Sequence, residues 1–423
     1  MLGLVRKQLH LANISQLPQD ITDIDERQEV VPESVDVSAE GKAKIWQAVE
    51  MLYQTGTQPA ISLCIRRKGK ILLSRAIGYA YGNGPGDLKH DQQLPATVDT
   101  PICLFSASKA MTAILIHKLA EQGAVNLLDP VSFYLPEFSK NGKQNITIHQ
   151  ILSHRGGIPG LPAKVPVNTL YDTEEVWRLL CDAKPIAVDG AKLAYHAITG
   201  GFVLGRVLEK VTGSSIADYL DAHIRQPLGM KYFTFGLEPK ERSIVARNYA
   251  TGPTIPFTAS WAIKRALGAT FPEAAEISNQ APWMDAVIPA ANIYATAEET
   301  SRFYQMMLDH GRWKGRQVLA PTTVQRAIQE FGGCTFDRTM LLPMRYSAGL
   351  MLGADPIGLY GPNSGRAYGH LGLINKFCWA DPDRQIAVGL LTTGLSLVSH
   401  HLPALMLLLR QISRHCEPLM IRA

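Results

Sequence analysis

The sequence predicts an α+β protein whose sheet is built from both ends of the chain, with a mostly helical region inserted between the two halves. Three observations predict it. Apolar segments with strand character fall near residues 61–73 and return after about residue 345. The chain between them reads mainly with helical period. The composition is that of a folded chain: of 423 residues 46% are hydrophobic and 19% charged, and Lys+Arg exceeds Asp+Glu by 42 − 37 = 5. High apolar content with little net charge excludes disorder. The Gly (35) and Pro (26) counts exclude collagenous and low-complexity classes. No basic cluster is longer than Arg66-Arg67-Lys68, so no nucleic-acid partner is expected, because that footprint is a clustered patch.

The elements follow in order. Residues 20–40 are acidic and broken by Pro32, which reads as an arm or linker before the folded body. After Ser38, the spacing of Ile45, Val49 and Leu52 gives a helix that ends before Gly56. Ile61–Ile65 alternates, Arg66–Lys70 makes a turn with Gly69, and Ile71–Leu73 resumes, so this is a hairpin. Gly82, Gly84 and Gly86 lead into the polar stretch Asp87–Asp91 rather than into a helix, which makes a loop and not a phosphate cradle. From Phe105 the period is helical, with Met111, Ile114, Leu115 and Leu119 on one face and Gly123 as the stop.

Ile148, Ile151 and Leu152 belong to a short helix closed by Gly156-Gly157. Val203–Val211 forms another, stopped at Gly213, and Ser215 opens a third. Residues 240–285 are aromatic and turn-rich without clear period, and read as packed loops or substrate-facing excursions. Thr296 starts a helix that carries Phe303, Met306 and Met307. Strands return at Tyr346–Leu352, and Phe377–Ala380 pairs with Ile386–Leu391 in a hairpin. The last helix spans about 398–413. The expected organisation is an arm at 1–39, a folded body at 40–412 and a tail at 413–423. Within the body, the sheet-bearing part is about 40–122 and 290–412, and the inserted helical part is about 123–289.

The apolar start of Met-Leu-Gly-Leu-Val precedes its charges instead of following them, which is not the order of a secretory signal. The run Leu402–Leu409 is far shorter than the ~20 residues that span a bilayer. It reads as a buried terminal helix, and no membrane partner is expected. Six widely spaced cysteines form no C-x-x-C pair, which fits reduced thiols in a cytoplasmic protein.

Three local patterns could carry chemistry. Ser106-Ala107-Ser108-Lys109 is an S-x-x-K at the start of an apolar-periodic helix. Residues i and i+3 share a helix face, so the Lys109 amine can reach the Ser106 hydroxyl. Free N–H groups and the helix dipole favour negative charge there. A lysine, with an unperturbed pKa of ~10.4, becomes a useful base only when burial or nearby positive charge depresses it. Taken alone, the motif also fits Ser106 as an N-cap and Lys109 as a solvated first-turn residue. That placement would set a cation against the dipole. The second pattern is Tyr195-His196-Ala197 before the Val203–Val211 helix, where Tyr195 is either packed or pointed into a cleft. The third is Tyr368-Gly369-His370-Leu371-Gly372-Leu373-Ile374, in which glycines on either side of a histidine let a ligand or another backbone approach a strand.

Together, in this order and separation, the three resemble the serine β-lactamase-like, penicillin-recognising superfamily. The likeness is nearest to the branch that holds class C β-lactamases, DD-peptidases and family VIII carboxylesterases. Ile151-Leu152-Ser153-His154-Arg155-Gly156-Gly157-Ile158 looks like that family's L-L-S-H-x-S-G-L, and the Gly205–Gly213, Pro227–Met230 and Ala295–Glu299 runs fall where the family has similar ones. The resemblance covers roughly 40–412. It implies a β-lactamase/transpeptidase-like fold: an antiparallel sheet flanked by helices, an inserted helical domain, and a site between them. It also implies Ser106 as acylated nucleophile, Lys109 and Tyr195 as the proton-transfer pair, and the backbone N–H groups of Ser106 and Leu373 as the oxyanion hole.

Two departures set the expected substrate. Members active on β-lactams carry Lys-Thr/Ser-Gly where this chain has His370-Leu371-Gly372, and their Tyr-x-Asn ends here in Ala197. The cation and hydroxyl that hold a substrate carboxylate are missing, as is the amide that binds beside the scissile bond. A site without those groups cannot select for them, and esterase members often have His in place of that Lys. His370, Leu371, Gly372 and Ala197 are therefore the expected substrate-binding positions, with Leu371 and Leu373 as apolar wall. The expected activity is hydrolysis of a small-molecule carboxylic ester through an acyl-enzyme. The alternatives are an acyltransferase with the same intermediate, a residual β-lactamase or D-amino-acid peptidase, and a non-catalytic scaffold on the same fold. His149 and His154 read as capping or packing residues. No H-E-x-x-H occurs, no metal or cofactor is expected, and Gly361–Gly365 is not a G-x-S-x-G elbow.

Overall fold

The computed structural model describes residues 9–419 apart from 15, 88–91, 163–164, 257–259, 261–262, 265–267 and 374. The leader reading of the first residues, the polar end of the loop after Gly86, and Ile374 lie outside the described residues.

An eight-stranded antiparallel sheet organises the chain. Its strands are β1 (Thr22–Ile24), β2 (Ala60–Arg67), β3 (Lys70–Tyr81), β4 (Leu94–Pro95), β5 (Met351–Leu352), β6 (Tyr368–Gly372), β7 (Lys376–Asp381) and β8 (Ile386–Thr392). Their order is β1-β3-β2-β8-β7-β6-β5, with β4 on the end of β3. The two ends of the chain meet where β8 pairs β2, from Ile386 opposite Arg67 to Thr392 opposite Ile61.

Side chains alternate between the two faces of this sheet. Ile61, Leu63, Ile65, Phe377, Trp379, Val388 and Leu390 pack beneath two helices, α1 (Ala39–Gln54) and the C-terminal α9 (Leu402–His415). Each fully buried aliphatic of this kind contributes about 1.5–3 kcal/mol. The opposite face carries Cys64, Cys378, Ala380, Ala387 and Gly389, and receives α8 (Ala297–Leu308) through Phe303, Tyr304 and Met306. Small residues on that face allow close approach: a β-carbon at Gly389 would stand 2.4 Å from the Ala297 carbonyl oxygen. The mixed architecture, sheet from both termini and helices on both faces, is the one expected.

The connecting region holds α2 (Ser108–Glu121), α3 (Ile148–Leu152), α4 (Thr173–Asp182), α5 (Thr199–Thr212), α6 (Phe271–Ser278) and α7 (Ala281–Asp285). Helix α2, buried along nearly its whole length, packs against α5 and joins the insertion to the sheet. Helix α5 stops where Gly213 takes a left-handed φ of 70°.

Several local expectations are corrected. Residues 20–37 do not form a free arm: β1 pairs with β3, Val35 and Val37 are buried, and Glu29 accepts from Arg75 and Lys42 at 2.8 Å. Acidity misled here because Glu29 and Asp36 are paired with cations of the folded body, Arg75, Lys42 and Lys68. The hairpin turn is Lys68-Gly69, and Arg66 and Arg67 continue β2 as buried residues. Arg67 reaches the Val35 and Arg384 carbonyls, and Arg66 pairs with Glu298, so charge did not mean exposure. Tyr346–Leu352 is not one strand but a tight reversal, with Gly349 at φ 117° and Tyr346 bridged to Met351. Helix α3 ends at Leu152, and His154 just beyond it takes a φ of 58°, the left-handed stop that Gly156-Gly157 was expected to supply. Part of 240–285 is helical (α6 and α7), with Thr270 and Glu273 forming a capping box. Helix α9 begins at Leu402 and runs to His415, and Cys416 beyond it is buried.

Candidate active site

The strand Ile102–Cys103 pairs with Ile293–Ala295, and the Leu104 N–H donates to the Ile293 carbonyl at 2.8 Å. Phe105 then takes a φ of 46°, which turns the chain sharply into a 3-10 turn (Phe105–Ala107) ahead of α2. Ser106 therefore lies just before the α-helix and is not its N-cap. A bulky residue at positive φ is strained, and Phe105 is held by its neighbours. Its ring lies 6.1 Å from Trp283, and the Lys376 ammonium sits 4.8 Å from it on another side. Burial pushes Lys376 down to about 8.

One helical turn on, Lys109 Nζ lies 3.0 Å from Ser106 Oγ and donates to the Ala290 carbonyl at 3.0 Å. The amine is buried and stands 5.0 Å from the centre of the Tyr195 ring. Burial holds its pKa well below the usual lysine range, with no carboxylate opposing the effect. Burial raises the pKa of the Tyr195 phenol, more than the neighbouring Ser106 side chain lowers it. An amine that burial biases toward its neutral form, a phenol and a hydroxyl thus lie together. The structure brings Ser106, Lys109 and Tyr195 together.

The third motif arrives from β6. A β-carbon at Gly372 would stand 2.0 Å from the Leu104 carbonyl oxygen, so only glycine lets this strand reach the Ser106 turn. Leu373 follows at φ 36° and shares a cavity wall with Ser106.

That cavity has a volume of about 410 Å³. Ser106, Ala197 and Leu373 line it, with Leu161, Leu170, Ile277 and Trp283 among its apolar walls. Lys264, the charged side chain among its described lining residues, is paired with Glu273 at 2.6 Å.

Two expected substrate contacts sit elsewhere. His370 is only 1% exposed and is not a lining residue; its ring faces Tyr195 at 6.1 Å. Its Nδ1 lies 2.7 Å from the Leu371 carbonyl, to which it can only donate, so Nε2 carries the lone pair, buried and unpartnered. Burial, with the nearby Lys109, pushes His370 down to about 3. Leu371 also misses the cavity. Strand alternation turns it to the face opposite His370, where it packs against the sheet's apolar core. Gly372 acts through its backbone approach.

Two residues near Tyr195 were not read from the sequence as part of the site. Asp337, fully buried, accepts the N–H groups of Tyr195 (3.1 Å), Thr339 (2.8 Å) and Met340 (3.0 Å) on one oxygen. Its other oxygen accepts the Tyr346 hydroxyl at 3.1 Å. His154, expected to cap or pack its helix, packs its ring 4.6 Å from Tyr195 and accepts the His196 N–H at 3.2 Å. His149 instead packs on Phe331. An aspartate two residues before a threonine reads locally as a turn, and nothing in the sequence connects it to position 195.

A sheet made from both termini, an inserted helical region and a serine–lysine–tyrosine cluster at their junction define a β-lactamase-type fold. The chain belongs to the Beta-lactamase family, whose model matches residues 47–409. It is 29% identical over 313 residues to the esterase/beta-lactamase LipL of Mycobacterium tuberculosis, covering 71% of each chain. A family VIII carboxylesterase of known structure is 26% identical with a TM-score of 0.76, covering 90% of this chain and 99% of that one. A penicillin-binding protein homologue from Caulobacter crescentus superposes with the same TM-score of 0.76 at 24% identity, covering 90% and 98%, a likeness of fold. The superfamily and the fold read from the motifs are both borne out. Among the described residues no helix is long and apolar enough to cross a membrane.

Proposed function

We propose that the protein is a serine hydrolase that cleaves carboxylic esters through a covalent acyl-enzyme on Ser106. The observation that carries the reading is the buried Lys109 amine at 3.0 Å from Ser106 Oγ, set beside a cavity with apolar walls. Ser106 Oγ attacks the ester carbonyl and its proton passes to the Lys109–Tyr195 pair. The negative charge on the carbonyl oxygen falls to the Ser106 and Leu373 N–H groups. The C–O bond to the alcohol breaks, and the pair returns the proton to the departing alkoxide. Water then attacks the acyl-enzyme by the reverse proton path and releases the acid.

Neutral His370 and aliphatic Ala197 offer no charge or amide to a β-lactam's carboxylate and side chain. That absence, and the names of LipL and of the family VIII carboxylesterase, support the ester reading. Free thiols at all six cysteines support a reducing, cytoplasmic setting. The test is reaction with a fluorophosphonate and turnover of nitrophenyl butyrate. We expect one adduct per chain, on Ser106, and release of butyrate. No adduct would leave a scaffold, and acyl transfer to added alcohol in preference to water would make the protein an acyltransferase.

A further inference from the structure

The cavity beside Ser106 is much larger than a short acyl ester needs. About 410 Å³ lies within the range that holds a whole small-molecule ligand, whereas an acetyl or butyryl group would leave most of it empty. Its walls are apolar on every side that is described. Leu161, Val167 and Leu170 come from the segment before α4, Ile198 from the start of α5, Ile277 from α6 and Trp283 from α7. Pro159, Pro162 and Pro166 fix φ along the first of these walls. A preformed wall binds without an ordering cost. The Lys264 ammonium is half exposed and already paired with Glu273, so it offers no buried charge to a ligand. A charged or strongly polar group pushed into this space would lose its water and find no free partner among the described residues.

Ser106 and Leu373 belong to the same wall. A carbonyl carbon at Ser106 Oγ, with its oxygen toward those two N–H groups, has one of its two arms in the cavity. Building on the ester reading, we infer that the substrate carries a large, uncharged apolar arm of about six to ten carbons next to the scissile bond. The arm is either the acyl chain or the alcohol. The chemistry is the same for both, and substrates can tell them apart.

The experiment uses two ester series on the full chain. The first is nitrophenyl acetate through decanoate. The second is the acetates of ethanol through decanol, followed by acid release. Each methylene moved from water to apolar surface is worth about a fourfold gain. We expect kcat/KM in one series to climb about threefold to fourfold per methylene up to about eight carbons, at least ~10²-fold in all, and then to level. The climbing series identifies the arm. Narrowing the cavity with Ala274→Trp, or with Ile277→Trp where the first lowers the melting temperature, should cut the ratio of eight-carbon to two-carbon turnover in the climbing series at least tenfold. Turnover that peaks at the shortest member of both series overturns this inference and leaves the ester reading standing. Hydrolysis of no ester in either series overturns both. A long-chain preference that both tryptophan variants retain would place the arm elsewhere and overturn the assignment of this cavity.

Discussion

The two sides of Ser106 are built from opposite materials. Behind it, Lys109, Tyr195, His154, His196, His370 and Asp337 are polar, buried and mostly engaged with one another or with backbone groups. In front of it, Leu161, Leu170, Ile277 and Trp283 surround open space and present almost nothing to bond. Under the proposed function the first side would handle protons and the second would hold the substrate. A polar cluster can keep a neutral lysine only where water is excluded. An apolar wall can select a substrate only by size and shape, because removing one methylene costs far less discrimination than orphaning a buried hydrogen bond. Changes behind Ser106 should therefore act on kcat, and changes in front of it on KM and on the choice of ester.

The hardest test of this division is the nucleophile, which belongs to both sides. Ser106→Ala should lower ester turnover by at least ~10³-fold with the melting temperature unchanged. More than a tenth of the activity remaining in a folded variant would mean another nucleophile, and the division would lose its centre.

Next in size are the proton carriers. Lys109→Ala and Tyr195→Phe should each cost ~10²-fold or more in kcat, with the double variant little worse than either, because groups on one proton path are not additive. The pH profile sharpens this. Lys109 acts as a base only when deprotonated, and burial places its pKa well below that of a free lysine. Activity should thus rise with pH and reach its plateau well below pH ~10. His196 is pushed down to about 4 and His370 to about 3, both first by burial. Neither should add a limb between pH ~5 and 8. A limb there that moves with His370→Gln would show that the imidazole shares the proton path.

A change of substrate comes third. The unmodified protein should favour nitrophenyl butyrate over nitrocefin by ~10²-fold in kcat/KM, about 2.7 kcal/mol of differential barrier. Comparable turnover of the two would return the β-lactamase reading. Ala197, at the cavity wall, is the place to add recognition. Lysine at position 370 would instead set a buried amine beside that of Lys109, since His370 lies 1% exposed beside the Tyr195 ring.

How far the sequence reached follows the same split. The serine, lysine and tyrosine were legible because each stands in a short motif whose spacing has a chemical reason. The sheet was legible because strands such as Ile61–Ile65 and Ile386–Leu391 repeat apolar residues within narrow limits. The cavity was legible only in part: Ala197, Leu373 and the stretch 240–285 were read as facing substrate or packing near it, and residues of each line it. Its walls come from 159–170, the start of α5, and α6 and α7, segments without shared period that only tertiary folding gathers. His370 and Leu371 were read as substrate contacts from a motif. A β-strand sends neighbours to opposite faces, and here one turns to Tyr195 and the other into the core. Arg66 and Arg67 misled for a related reason: a charged residue is buried when its partners, Glu298 and the Val35 carbonyl among them, arrive from distant parts of the chain.

The smallest expected effect is on Asp337, and it probes the division most finely because this residue touches no substrate. One carboxylate oxygen gathers three backbone N–H groups, that of Tyr195 among them, and the other takes the Tyr346 hydroxyl. Asp337→Asn keeps an oxygen for the N–H groups and turns an amide toward the Tyr346 hydroxyl, whose oxygen can accept it. It should lower kcat only ~3- to 10-fold, leave KM for a given ester unchanged within about twofold, and barely move the melting temperature. Asp337→Ala strips all four donors of their acceptor at a fully buried position, where each orphaned group costs ~1–3 kcal/mol. It should lose both stability and kcat. A residue that merely supported the fold would give stability and activity losses in step, with Asn no better than Ala once corrected for folded protein. The opposite control is Leu170→Ala, on the cavity wall. It should raise KM for a long-chain ester while leaving kcat for that ester nearly as it was, because it removes contact made equally with substrate and transition state. If Asp337→Asn moved KM instead, or Leu170→Ala moved kcat, the proton-handling and substrate-holding sides of Ser106 would be one coupled site.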